Sequence, residues 1–185
     1  MEAAQNRVVA LIDQMPVGGT VAVKALNNVT ANCNDLTITL PPAENQTVLD
    51  ETREASKKVA AAKFPGYIDC VTDADIGGTQ LFGLLAETAA SYPNAQIWDV
   101  YSDGIDNYNL KGLRKGKSLN DPNYPAQAVA NLPASLVPRL TPDTVITWHA
   151  LGRGTDLDAV ALAGLRQIYT IWASTTGAIS QVAAD

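Results

Sequence analysis

The chain is 185 residues long, 46% apolar and only 17% charged, with a net charge of −6 and an isoelectric point near 4.7. That length suits one domain with room for a sizeable core, and the acidic balance argues against nucleic acid or an anionic membrane surface as partner, since both reward a basic face. No apolar run approaches the roughly 18 residues that span a bilayer, so membrane insertion is not expected.

In chain order, Glu2 to Gln14 carries Val8, Val9, Leu11 and Ile12 at helical spacing and is closed by Pro16 and Gly18-Gly19. Polar residues Glu2 to Asn6 and the short apolar stretch Val8 to Ile12 do not make a signal peptide. Thr20 to Leu26 reads as a strand, and Leu36-Thr-Ile-Thr-Leu40 alternates as a second one, stopped by Pro41-Pro42. Their short connection implies an antiparallel hairpin. A helix follows from Gln46 to Lys63, with Val48, Leu49, Val59 and Ala62 expected inward. A loop with Asp69, Asp73, Asp75 and Gly77-Gly78 leads to a helix from Thr79 to Ser91, then to a strand from Ile97 to Ser102.

Residues 103 to 123 form a long polar loop. Two short helical pieces, Ala126 to Asn131 and Ala134 to Leu140, flank Pro133. Thr144 to Ala150 is a fourth strand, and Asp156 to Ser174 is an amphipathic helix through Val160, Leu162, Leu165, Ile168, Tyr169 and Trp172. Strands alternating with helices imply an α/β fold with a mostly parallel sheet. Neither an internal repeat nor a linker interrupts the pattern, so residues 1 to 185 are expected to form a single domain.

Cys33 and Cys70 are too few for a disulfide framework and lack metal-type spacing. They pair if the fold brings them together in an oxidising compartment, which would suit an extracytoplasmic or cell-surface location; otherwise they are two free core thiols. Asn28-Val-Thr30 and Asn45-Gln-Thr47 match the glycosylation sequon, a pattern too common to carry weight alone.

Several motifs fail on context. Gly112-Leu-Arg-Lys-Gly116-Lys117-Ser118 is one residue short of a P-loop, and no strand leads directly into it. Lys111, Arg114, Lys115 and Lys117 are read as solvating a loop. Gly152-Arg-Gly154-Thr-Asp-Leu157 follows a strand and opens a helix as a dinucleotide site should, but Leu157 replaces the third glycine. A helix entry capped by Thr155 accounts for it. No G-x-S-x-G elbow is present, and the sole histidine, His149, sits in a strand without an evident triad. The chain points away from enzyme chemistry.

Two segments remain. Gly77-Gly78-Thr79 places a threonine hydroxyl at a helix start, and Ser102-Asp103-Gly104 ends the next strand, where open α/β sheets bind their ligands. Together they resemble the second and third metal-site motifs of the von Willebrand factor A (vWA) family, and the order of elements along nearly the whole chain agrees. The resemblance implies a Rossmann-like, doubly wound and mostly parallel sheet, with one antiparallel edge strand and helices on both faces. It also implies a Mg2+ or Mn2+ ion held by Thr79 and Asp103, and a protein partner. Hard cations of this kind take oxygen ligands and keep several waters.

The family's first motif, D-x-S-x-S, is missing. Asp35-Leu-Thr-Ile-Thr39 fits it only superficially, because its alternation makes it the interior of a strand. Two readings stand: a chain shortened before the helix that holds Met1, or a diverged member lacking the first central strand. Either way, metal affinity is expected to be weak or nil. The sequence thus leads to a vWA-like protein-interaction or adhesion domain with a partial metal site. Its alternative is a Rossmann-like enzyme binding a phosphate-bearing ligand at the Gly152–Leu157 turn.

Overall fold

Alternation along Leu36-Thr-Ile-Thr39 buries Leu36 and Ile38 and leaves Thr37 and Thr39 in solvent, as a strand covered on one side requires. The computed structural model describes residues 2–25, 33–74, 79–110, 113 and 118–183, and these fall into two compact units divided between residues 74 and 79.

The first unit contains α1 (Glu2–Gln14), β1 (Thr20–Val23), β2 (Leu36–Thr39) and α2 (Gln46–Ala74). β1 and β2 pair antiparallel with Thr20 opposite Thr39 and Val23 opposite Leu36, as the hairpin reading expects. The ladder runs on into the turn after α1, where Gly18 N–H donates to Leu40 O (3.0 Å) and Leu40 N–H donates to Gly19 O (3.0 Å). Val8 and Ile12, one helical turn apart on α1, meet Leu36, Ile38 and Leu40 in a common core with Ala60 and Phe64 of α2.

α2 differs from expectation. Asn45 starts it, its Oδ1 accepting the Val48 N–H at 3.0 Å, but the helix spans 29 residues and passes through Pro65. Asp69 and Asp73 therefore lie on a helix rather than in a loop; Asp75 and Gly77-Gly78 are outside the described residues. Val48 and Val59, expected inward, are exposed, and Ala60 and Phe64 take the buried positions.

Interior proline costs a helix about 3 kcal/mol and glycine, here Gly66, about 1, so Phe64-Pro-Gly66 reads locally as a stop. Two tertiary effects oppose that cost. Tyr67 and Ile68 pack against the hairpin core, and Cys70 is disulfide-bonded to Cys33, 37 residues away. A crosslink closing a loop of that size contributes about 2–4 kcal/mol, comparable to the local penalty.

The second unit contains α3 (Leu81–Ser91), β3 (Ile97–Tyr101), α4 (Tyr124–Ala130), a 3-10 turn at Ala134–Leu136, β4 (Val145–His149), α5 (Ala159–Thr176) and β5 (Ile179–Val182). Its sheet is parallel, in the order β3-β4-β5. The second of the two short helices expected around Pro133 is thus a single 3-10 turn.

Trp98, Val100, Ile146 and Trp148 cover one face of this sheet. Trp148 and Trp172 surround Tyr169 and Phe82: the Trp148–Tyr169 ring centroids are 4.5 Å apart, and those of Phe82–Tyr169 are 5.4 Å apart. These contacts gather α3 and α5 on one side, with α4 packed along α5. On the opposite face, Ile97 and Ile179 remain 54% and 51% exposed.

The protein is therefore a mixed α/β structure with a three-stranded parallel sheet and a separate two-stranded antiparallel one. The hairpin is not the edge of a larger sheet, and helices do not clad both faces of the parallel one among the described residues. The physical reason is visible in the hairpin itself. Its apolar side, Leu36 and Ile38 with Val23 and Val21 opposite them, already packs in the core shared with α1 and α2, and its other side is mostly threonine.

Candidate functional site

The carboxyl ends of β3 and β4 remain bonded beyond the strands. Ser102 N–H donates to His149 O (3.2 Å), and Gly152 N–H donates to Asp103 O (2.8 Å). Asp103 is thereby held at the rim of the parallel sheet, where the sequence put it. Its Oδ1 accepts the Ile105 N–H at 2.9 Å in a local Asx turn, which leaves Oδ2 without a hydrogen bond among the described residues.

The glycine that follows is required. Gly104 has φ of 78°, and its carbonyl accepts the Tyr169 hydroxyl at 2.5 Å. Tyr169 is fully buried, and its pKa is raised well above the ordinary phenol value, chiefly by desolvation and further by the charges of Asp106 and Asp103. The hydroxyl consequently stays a donor and fixes the turn.

The residue that organises this rim is one that sequence reasoning missed. Asp106 is completely buried. One carboxylate oxygen accepts the N–H groups of Tyr108 (2.9 Å) and Asn109 (2.6 Å). The other accepts Asn109 Nδ2 and, 24 residues back, the Phe82 N–H, each at 3.0 Å. Phe82 is the second residue of α3, whose first N–H groups have no partner inside the helix, and the N-cap residue Gln80 makes no side-chain cap bond. Asp106 supplies that cap from a distant loop. Asn107 N–H adds a bond to Thr79 O at 3.0 Å.

Thr79 and Asp103, the two site residues read from sequence, thus belong to segments lashed together at one end of the second unit. The pair itself would supply one carboxylate and one hydroxyl. Among the described residues no group of three His, Cys, Asp or Glu is arranged to hold a metal. Mg2+ is bound through one or two carboxylates with several waters retained, so one carboxylate and one hydroxyl would not by themselves make a closed cage.

The Gly152–Leu157 turn gives no phosphate cradle. Asp158 caps α5, accepting the Ala161 N–H at 2.8 Å; Thr155, expected as the cap, instead donates its hydroxyl to Gly152 O at 2.5 Å. A carboxylate already sits where the helix N-terminus would attract an anion. Nor is Gly152 kept open for a ligand, since a Cβ there would lie 2.4 Å from Leu162 Cδ1. In the lysine-rich loop, residues 111–112 and 114–117 fall outside the described residues, while Leu113 is buried in the core.

His149 pairs with Asp99, Nε2 to Oδ1 at 2.8 Å, and stacks on Tyr101 with ring centroids 4.2 Å apart. Tyr101 and His149 are direct register partners on β3 and β4, so the cluster is a cross-strand lock on the sheet's open face. Comparison of the chain with protein-family models, with curated proteins and with solved structures gives no match.

Proposed function

We propose that the second unit is a vWA-like protein-recognition module whose binding surface is the rim bearing Thr79 and Asp103. A divalent Mg2+ or Mn2+ ion would be held there weakly, by the Asp103 carboxylate and the Thr79 hydroxyl. The observation that carries the reading is the placement of Asp103: just past the end of a parallel strand, one oxygen committed to its own turn and the other without a hydrogen bond among the described residues. The lash from Asn107 and Asp106 to the Thr79–Phe82 segment supports it. Three parallel strands joined by helical crossovers would be half of a doubly wound sheet, so the reading extends to that architecture. The Cys33–Cys70 disulfide is compatible with an extracytoplasmic location, which suits an adhesive role.

Ion-dependent stabilisation tests the proposal directly. At about ten times its dissociation constant an ion that binds only the folded state adds about 1.4 kcal/mol. Millimolar Mg2+ or Mn2+ is expected to raise the unfolding midpoint of the parent, and the increment is expected to vanish in Asp103→Ala. Comparing increments, not baselines, removes any effect of the substitution on stability itself. An increment of equal size in both proteins, or none in the parent, would sink the metal assignment.

A further inference from the structure

The disulfide does not lie sealed in the core of the first unit. Cys33 and Cys70 are both half-buried, and both line a cavity of about 400 Å3 together with Asp35, Lys63 and Tyr67. Lys63, Tyr67 and Cys70 follow one another at helical spacing, so they share a face of α2. Lys63 is exposed and is a cationic residue lining this cavity, while Asp35 is engaged by Lys24 at 3.8 Å. A positive charge beside a disulfide attracts an incoming thiolate and stabilises the departing one.

We propose that this cavity is a thiol–disulfide exchange site for a dithiol, and that the bond it acts on is a redox clamp on the second half of α2. In the first step a dithiol thiolate attacks one of the two sulfurs. A mixed disulfide forms, the Cys33–Cys70 bond breaks, and the departing cysteine thiolate takes a proton from solvent. The second thiol of the reagent then closes its own disulfide and releases the other cysteine. The protein disulfide is reduced by two electrons and the dithiol oxidised by two. The consequence is structural. Beyond Pro65 and Gly66, Tyr67 and Ile68 still pack against the hairpin core once Cys70 is free, but the covalent tie is lost, so residues 66–74 fray while the hairpin and the first half of α2 stay formed.

The test uses the intact chain, without denaturant, and dithiothreitol as probe. Thiol release is followed by maleimide labelling and mass measurement, and amide exchange is read by peptide on the oxidised and reduced protein. Three results are expected: both thiols appear under native conditions; residues 66–74 lose protection on reduction; and Lys63→Glu slows reduction by about threefold or more, with Lys63→Gln in between. Because Lys63 is exposed, neither variant disturbs packing. The inference is overturned if thiols appear only in denaturant, if the reduced chain protects residues 66–74 as before, or if charge reversal leaves the rate unchanged.

Discussion

Asp106→Ala is expected to lower the unfolding free energy of the second unit by about 3–5 kcal/mol, among the largest effects of any single truncation in this chain. The carboxylate is wholly buried and accepts four hydrogen bonds. Removing it strands the buried N–H of Phe82, at about 1–3 kcal/mol when left unpaired, and the part-buried N–H groups of Tyr108 and Asn109 at a smaller cost each. Asp106→Asn keeps one acceptor oxygen, and with it two of the four bonds, so its loss should be intermediate. Urea unfolding measures both. Because the same group ties the Thr79 segment to the loop after β3, Asp106→Ala should also abolish ion-dependent stabilisation without altering Thr79 or Asp103. An alanine variant within about 1 kcal/mol of the parent would mean that water replaces the carboxylate and that the rim is not organised as described.

The second large effect is expected at Gly104. Alanine there must adopt φ of 78°, at about 1–2 kcal/mol for an L-residue. Its Cβ would also lie 2.7 Å from Leu151 Cδ2 and 3.0 Å from Tyr169 Cε2, and overpacking adds about 1–3 kcal/mol. Gly154 provides the control. Its φ is 72°, yet a Cβ there meets nothing within 4 Å. Gly154→Ala should therefore show only the conformational part, and the difference between the two variants in thermal or urea unfolding isolates the packing part. Equal losses at both positions would contradict the contact between Gly104 and the Tyr169 ring.

Which parts of this molecule could be read from its residues follows from how local their causes are. Leu36-Thr-Ile-Thr39, the α1 stripe and the α5 stripe of Leu165, Ile168, Tyr169 and Trp172 declare themselves because burial there follows the element's own period, although Val160, expected in the same α5 stripe, is exposed. Asp103 was legible for the same reason: a strand followed by Asp-Gly marks a rim. α2 was misread beyond Lys63 because Pro65 and Gly66 are honest local signals, overridden by a crosslink to a residue far back in the chain.

β5 was missed because Ile179-Ser-Gln-Val182 is short, half polar and largely exposed, with no pattern distinct from a loop. Spacing left the cysteine pairing undecided, since proximity of Cys33 and Cys70 depends on how α2 lies against the hairpin. Asp106 had a visible clue in Asp-Asn-Tyr-Asn109, a run suited to side-chain-to-backbone turns. Its second role, capping a helix 24 residues earlier, exists only in three dimensions. The Asp99–His149 pair likewise needed the register of β3 against β4.

The sheet order β3-β4-β5 has a kinetic consequence. Each strand lies beside its predecessor within that sheet, but both ladders join residues far apart in the chain, Ile97 with Val145 and Val145 with Ile179. Non-local parallel pairing of this kind must close large loops first and so folds slowly, with β4, flanked on both sides, as the natural nucleus. β5, exposed at the outer margin, would join last and leave first. Core truncations in β4 should therefore slow refolding, while weakening the junction between α5 and β5 should mainly hasten unfolding.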